Sequence, residues 1–269
     1  MRTVFRFISA CIMVIRFVIV ALLGIFITDK TDQKRYAAMI TSRYSRKLLS
    51  VLHIHVCKDN RRQFGIIPHA CLIYANHLSY LDVLAMAAAI PCIFVTSSDV
   101  GAVGLIGGLT RLGGSIIIDR RNKQALRKEL PLIEGLLRDG NRITLFPEGT
   151  SSNGSGVLPF KASFAQAALN AKVPLLPIRI SYRKLNGEEL KRDDADKLLW
   201  YGDMTFIDHF FRLCKIKSAV ISLRRMDTVR TDSVSDRKEI TAAAYSSIAS
   251  AYTPIKPIKS PEYALNYVQ

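Results

Sequence analysis

Asn76, His77 and Asp82 stand in the run Asn76-His77-Leu78-Ser79-Tyr80-Leu81-Asp82, directly after the apolar stretch Leu72 to Ala75. An imidazole and a carboxylate are what a general base needs: the carboxylate accepts from Nδ1–H, fixes the tautomer and leaves Nε2 free to take a proton. Their spacing alone does not bring them together. Inside one helix, five residues at 100° each would set the two side chains roughly 140° apart. If His77 lies in a non-helical entry and the helix begins near Ser79, Asp82 falls in the first turn and can point back at the ring. Ser79-x-x-Asp82 is also a capping-box pattern, with Ser79 as N-cap and Asp82 at N3, so the aspartate reads equally well as local architecture. The two readings are compatible, because a capped helix end is rigid and rigidity suits a catalytic pair.

Two further clusters carry chemistry. Leu145-Phe146-Pro147-Glu148-Gly149-Thr150-Ser151-Ser152 sets a carboxylate in the loop beyond an apolar strand, on the edge where open α/β sheets bind ligands. A surface turn would explain the proline and glycine as well. Ser115-Ile116-Ile117-Ile118-Asp119-Arg120-Arg121 ends a strand in paired arginines, which are suited to gripping a phosphate.

The elements that position these residues alternate in type. Strands are expected at 53–56, 70–75, 93–97, 115–119, 142–146 and 175–182, and helices at about 79–89, 123–138 and 160–171. Lys58 to Arg62 reads as a turn and Gly101 to Gly114 as a glycine-rich connector. Short strands alternating with helices of ten to fifteen residues indicate an α/β domain with a largely parallel mixed sheet flanked by helices. The expected organisation is an N-terminal helical unit at 1–52, one α/β domain at 53–253 and a proline- and lysine-bearing flexible tail at 254–269.

The chain has 269 residues and a formal net charge of +16. Nucleic acid and anionic lipid are the partners such an excess suggests. The basic residues lie within Leu- and Ile-rich sequence, with no zinc-finger spacing and no RNP-type strand, so membrane lipid is expected and nucleic acid is not. The five cysteines, Cys11, Cys57, Cys71, Cys92 and Cys214, form no CxxC pair and no Cys/His cluster, so no metal site is expected and a reducing, cytosolic-facing setting is.

Phe5 to Ile27 is apolar apart from Arg6, Ser9 and Arg16, and its charge-free part is only half a bilayer long. Three readings are open: a helix lying in one leaflet with Arg16 snorkelling, a tilted span, or a soluble core helix. Asp32 to Leu52 follows as a basic amphipathic helix. Together they suggest a two-helix membrane-seated unit on the cytoplasmic face.

Taken in order, these segments resemble the glycerolipid acyltransferases of the 1-acylglycerol-3-phosphate O-acyltransferase type. The first family motif is matched by Asn76 to Asp82, the second by Ile116-Ile117-Ile118-Asp119-Arg120, the third by Phe146 to Thr150 and the fourth by Val173-Pro174-Leu175-Leu176-Pro177. The resemblance covers about Leu72 to Ile180. It implies that His77 deprotonates the free hydroxyl of a lysolipid, which attacks the thioester of acyl-CoA or acyl carrier protein, while Asp82 orients His77. It further implies that Glu148, Gly149, Thr150, Asn76 and Arg120 serve the acceptor, with no cofactor beyond the acyl donor. A thioester is already activated, so a base and alignment suffice without a covalent intermediate.

The chain departs from the family at Ser151, where an arginine is common, and at Ser163, where a glycine is. Arg120, Arg121 or Lys161 then holds the acceptor's phosphate, or the acceptor lacks one. A branch acylating lyso-ornithine lipid is similar in carrying a small polar residue there, so lysophosphatidic acid is the first expected acceptor and lyso-ornithine lipid the alternative. Two rivals remain at this level: a hydrolase using Ser79, Ser151 or Ser152, against which the chain lacks a Gly-x-Ser-x-Gly elbow, and a non-catalytic membrane-binding module.

Overall fold

The structure is a computed structural model that describes residues 2–29, 32–65, 67–102, 104–119, 123–232 and 236–255. The elements in chain order are α1 (Arg2–Ile27), α2 (Gln33–Val51), β1 (Ile54–Asp59), α3 (Arg61–Phe64), β2 (Cys71–Ala75), α4 (Tyr80–Ala89), β3 (Ile93–Ser97), α5 (Ser98–Ala102), α6 (Gly104–Leu112), β4 (Ile116–Ile118), α7 (Lys123–Arg138), β5 (Arg142–Leu145), α8 (Ala165–Ala171), β6 (Leu175–Leu185), β7 (Glu188–Glu189), α9 (Arg192–Ala195), α10 (Phe206–Lys215), β8 (Ala219–Arg225) and α11 (Arg237–Ala251). These strands join one sheet in the order β1-β8-β6-β2-β5-β3-β4, with β7 folded back on β6. Every neighbouring pair along that path is parallel except β6 with β8.

The strand β2 lies in the middle of the sheet and is buried at every position. Its alternation divides it between two cores: Cys71, Ile73 and Ala75 pack with Leu81, Ala85 and Met86 of α4, while Leu72 and Tyr74 pack with Ala165, Ala167 and Ala168 of α8. The crossovers carrying those helices run in opposite senses. From β2 the chain passes through α4 to β3, beyond β5; from β5 it passes through α8 to β6, beyond β2. Two neighbouring strands whose following helices leave to opposite faces open a crevice at their carboxyl ends, the place where open α/β sheets bind ligands. His77 follows β2 and Glu148 follows β5, so both stand at its mouth.

The sequence reading differs from the structure in three places. Gly101 to Gly114 is largely helical, as α5 and α6, and Gly107 serves contact rather than slack: a Cβ there would sit 2.2 Å from the Gly101 carbonyl oxygen. Lys58 and Asp59 extend β1 instead of turning, held by parallel pairing to Leu223 and Arg224. From Arg183 to Ala251 the chain completes β6 and forms β7, α9, α10, β8 and α11, and these last five were not expected. The expected tail lies outside the described residues beyond Ile255.

Candidate active site

The local fold answers both readings of Asp82 at once. Ser79 is extended (φ −167°, ψ 159°) and caps α4, so His77 and Leu78 form the non-helical entry and Asp82 sits in the first turn. Asp82 Oδ2 accepts from the Ser79 N–H at 2.9 Å, which is the capping-box bond, and also from the Leu78 N–H at 2.6 Å and from His77 Nδ1 at 2.9 Å. One oxygen therefore caps the helix and grips the imidazole. Asp82 Oδ1 accepts from the Tyr182 hydroxyl at 2.7 Å. Burial and the neighbouring Asp82 charge raise the Tyr182 phenol well above its ordinary range, so it keeps its proton and donates.

This network assigns the tautomer. With every other partner of Asp82 a donor, the carboxylate can only accept from the ring, which places the proton on Nδ1. Asp82 is fully buried, whereas the His77 side chain is 18% exposed, and Nε2 is the ring nitrogen that the carboxylate leaves free. The ring stacks on Phe146, with centroids 4.1 Å apart and planes 14° from parallel. A stacked ring held at Nδ1 has little freedom to turn, which is what a positioned base requires.

The backbone around His77 is pinned too. Glu148 Oε1 accepts from the His77 N–H at 2.8 Å, and Oε2 accepts from the Leu158 N–H at 3.2 Å. The His77 carbonyl accepts from the Ser152 N–H at 2.9 Å, and the Leu78 carbonyl from the Trp200 N–H at 3.0 Å. Glu148 is only 5% exposed; its Oε1 ties the loop after β5 to the loop after β2, and its Oε2 closes the loop after β5 on itself. Burial pushes its carboxyl up to about 8, against the pull of the two N–H groups.

A stability prediction follows from the sign of that shift. A folded value above the ordinary 4.5 contributes stability that is complete below pH 4.5 and is lost as pH rises through about 8. Across that window thermal unfolding should show wild type losing stability relative to Glu148→Gln by up to about 1.4 kcal/mol per pH unit. A difference independent of pH would show that Glu148 stays ionised throughout.

The other expected substrate-binding residues fall into three sets. Asn76 is 1% exposed, and both ends of its amide are used by β6: Nδ2 donates to the Ile180 carbonyl at 3.0 Å and Oδ1 accepts from the Ile180 N–H at 2.7 Å. It splices the end of β2 to β6. Gly149, Thr150 and Lys161 form an exposed rim beside the base. Gly149 has φ +81°, and a Cβ there would lie 3.1 Å from Lys161 Nζ, so the ammonium lies against the bare backbone. Arg120 and Arg121 lie outside the described residues. Among the serines of the hydrolase reading, Ser79 is fully buried with its oxygen accepting from the Leu81 N–H at 3.4 Å, and Ser152 is 8% exposed with its oxygen accepting from the Gly154 N–H at 3.4 Å.

Sequence reasoning missed Tyr182, which is 100 residues from its partner Asp82, and the stacking role of Phe146. Tyr182 stood at the end of an expected strand, but nothing local marked its hydroxyl. Phe146 was visible in its motif, and only the register of β5 beside β2 places its ring under His77.

The acyltransferase family model matches residues 53–181. The lyso-ornithine lipid O-acyltransferase of Rhizobium meliloti (strain 1021) is 30% identical over 196 residues, covering 70% of this chain and 65% of that protein. The 1-acyl-sn-glycerol-3-phosphate acyltransferase of Neisseria gonorrhoeae is 27% identical over 156 residues, covering 58% of this chain and 59% of that protein. The matched segments thus span just under two thirds of these relatives' own lengths. The fold is similar to the crystal structure of the 1-acyl-sn-glycerophosphate acyltransferase PlsC from Thermotoga maritima, with a TM-score of 0.66 at 16% identity over 92% of each chain.

Proposed function

Because residues 53–181 of this chain belong to the acyltransferase family, we propose that the protein moves a fatty acyl group from acyl-CoA or acyl carrier protein to the free hydroxyl of a membrane lysolipid. The observation that carries this reading is the 2.9 Å bond from His77 Nδ1 to a saturated, buried Asp82, which leaves Nε2 free. Nε2 takes the proton as the hydroxyl oxygen attacks the thioester carbon. The tetrahedral adduct collapses, the C–S bond breaks, and the imidazolium returns the proton to the departing thiolate. Asp82 holds the tautomer and stabilises the imidazolium. Tyr182 and Glu148 act through these two groups, one on the carboxylate and one on the His77 backbone.

The acceptor approaches across the rim of Gly149, Thr150 and Lys161, where the ammonium meets an anionic group near the reacting hydroxyl. A phosphate monoester, as in lysophosphatidic acid, is the first reading. Lyso-ornithine lipid, whose headgroup offers a carboxylate, is the second; Ser151 in place of an arginine and the similarity to the Rhizobium enzyme favour it.

Membrane seating rests on α1. At 26 residues it is long and apolar enough to cross a bilayer, and it is about 39 Å long at 1.5 Å per residue. One side packs on α2 and α10, while Phe5, Ile8, Ile12, Ile15, Ile19 and Phe26 make an exposed apolar stripe along the whole of the other. A helix covered by protein along one side and apolar along the other suits an orientation in the plane of one leaflet. The donors are cytosolic compounds, and all five cysteines are unpaired, in keeping with a cytosolic face.

The test is purified full-length protein with labelled acyl-CoA, offered lysophosphatidic acid and lyso-ornithine lipid side by side. A diacyl product from at least one is expected, and none from either would end the proposal. Lys161→Ala should raise KM for the preferred acceptor roughly ten- to hundredfold with little change in kcat, the worth of one hydrogen bond to a charged group. An unchanged KM would remove Lys161 from acceptor binding.

A further inference from the structure

The helix α10 lies beyond the segment that matches the family, and it leaves an apolar ridge uncovered. Its inner side is buried through His209, Leu213 and Cys214, but Ile207 and Phe211, one turn apart, are 66% and 43% exposed. The ridge is not isolated. Phe211 stacks on Phe7 of α1, with centroids 4.6 Å apart and planes 11° from parallel, and Phe7 stands one turn from Val4, which is 62% exposed at the margin of the α1 stripe.

The junction is built to be rigid. Arg6, one of three arginines in the mostly apolar α1, is only 6% exposed and donates to the carbonyls of Cys214, Ile216 and Lys217. Its charge thus satisfies carbonyls at the carboxyl end of α10, where a cation is also favoured by the helix dipole. Further along α10, His209 Nδ1 and the Tyr80 hydroxyl share a hydrogen bond at 3.0 Å; burial lowers this imidazole to about 4, so it is neutral.

We propose that the Ile207 and Phe211 ridge of α10 inserts beside α1 into a leaflet containing anionic lipid, as a second membrane contact that sets the depth of the catalytic crevice. This rests on reading α1 as membrane-seated. Continuity with the α1 stripe argues for lipid as the occupant, and the exposed Arg212, Lys215 and Lys217 at the polar edge of the ridge supply the cations that anionic headgroups attract. A file of aromatic rings then runs inward. Phe210 lies 5.8 Å from Phe206, and Phe206 lies 5.0 Å from Tyr80, the first residue of α4 and three residues from His77. A ridge seated in the leaflet therefore fixes the height of His77 relative to a lysolipid hydroxyl at the surface.

The experiment uses the full chain with vesicles of phosphatidylglycerol or phosphatidylcholine. Ile207→Ser with Phe211→Ser should lower flotation with phosphatidylglycerol vesicles by at least about tenfold, the loss expected from withdrawing two large apolar contacts. Transfer to a short-chain, water-soluble lysolipid should stay within about twofold of wild type, while transfer to vesicle-borne acceptor falls in step with flotation. As a gentler probe, Ile207→Trp should gain fluorescence blue-shifted by vesicles and quenched by brominated lipid, whereas Asp208→Trp should not.

Unchanged flotation, or emission from the Ile207→Trp variant that is indifferent to lipid, overturns the proposal. So does an equal loss on the soluble acceptor, which would make the ridge an internal support. So, too, would lipid-free wild type that dimerises where the serine variant is monomeric, because the ridge would then belong to a second copy. If wild type transfers acyl groups to no acceptor, the transferase reading fails, and flotation and quenching still decide the role of α10.

Discussion

His77→Ala should lower acyl transfer by roughly two to four orders of magnitude while leaving vesicle binding and the unfolding temperature close to wild type. The activity loss follows from the loss of Nε2, the unprotonated nitrogen at the crevice mouth. The preserved fold follows from exposure: the ring is partly exposed, and the backbone bonds that hold the loop, from the His77 N–H to Glu148 and from the Ser152 N–H to the His77 carbonyl, do not involve the side chain. A non-catalytic membrane module makes the opposite forecast, since nothing in membrane binding requires this imidazole. Transfer assayed beside flotation on one preparation separates the two.

Asp82→Asn should be harmful in two ways at once. The amide presents an NH2 group where a carboxylate oxygen now accepts, so either the Tyr182 hydroxyl or the cluster of His77 Nδ1, Leu78 N–H and Ser79 N–H meets a donor. If His77 answers by moving its proton to Nε2, the base is lost, and transfer should fall by about two to four orders of magnitude. Unpaired buried donors should also destabilise the fold by about 2–4 kcal/mol, or roughly 4–7 °C in a chain of this size. The combination is diagnostic. His77→Ala should lose activity alone, whereas Asp82→Asn should lose activity and stability together. An Asp82→Asn protein with wild-type melting would show that the carboxylate does not hold the helix entry.

What the sequence revealed and what it hid follow the range of the interactions. Asp82 was legible because its cap and its grip on His77 are both completed within five residues, and a capping pattern after an apolar strand predicts the bend that unites them. The strands from His53 to Tyr182 and the helices α4, α7 and α8 between them were legible for the same reason, since period and turn residues are local. The roles of Glu148 and Tyr182 were not. Each depends on which strands become neighbours: β5 beside β2 brings Glu148 to the His77 N–H, and β6 on the other side of β2 brings Tyr182 to Asp82. The glycines of Gly101 to Gly114 misled because a glycine allows close helix contact as readily as it allows flexibility, and only the contact partner tells which. Residues 183–253 hid α10 behind loops rich in charge, although Phe206 to Lys215 carries its apolar residues on one side once the helix is drawn.

The central claim is that Nε2 of His77 removes the acceptor's proton. The most direct measurement is acyl transfer by purified His77→Ala protein with and without added imidazole, across the pH range in which imidazole titrates. Transfer that is nearly absent alone, returns with imidazole and grows with its neutral fraction is the expected result. Transfer close to wild type in the variant without imidazole would contradict the account.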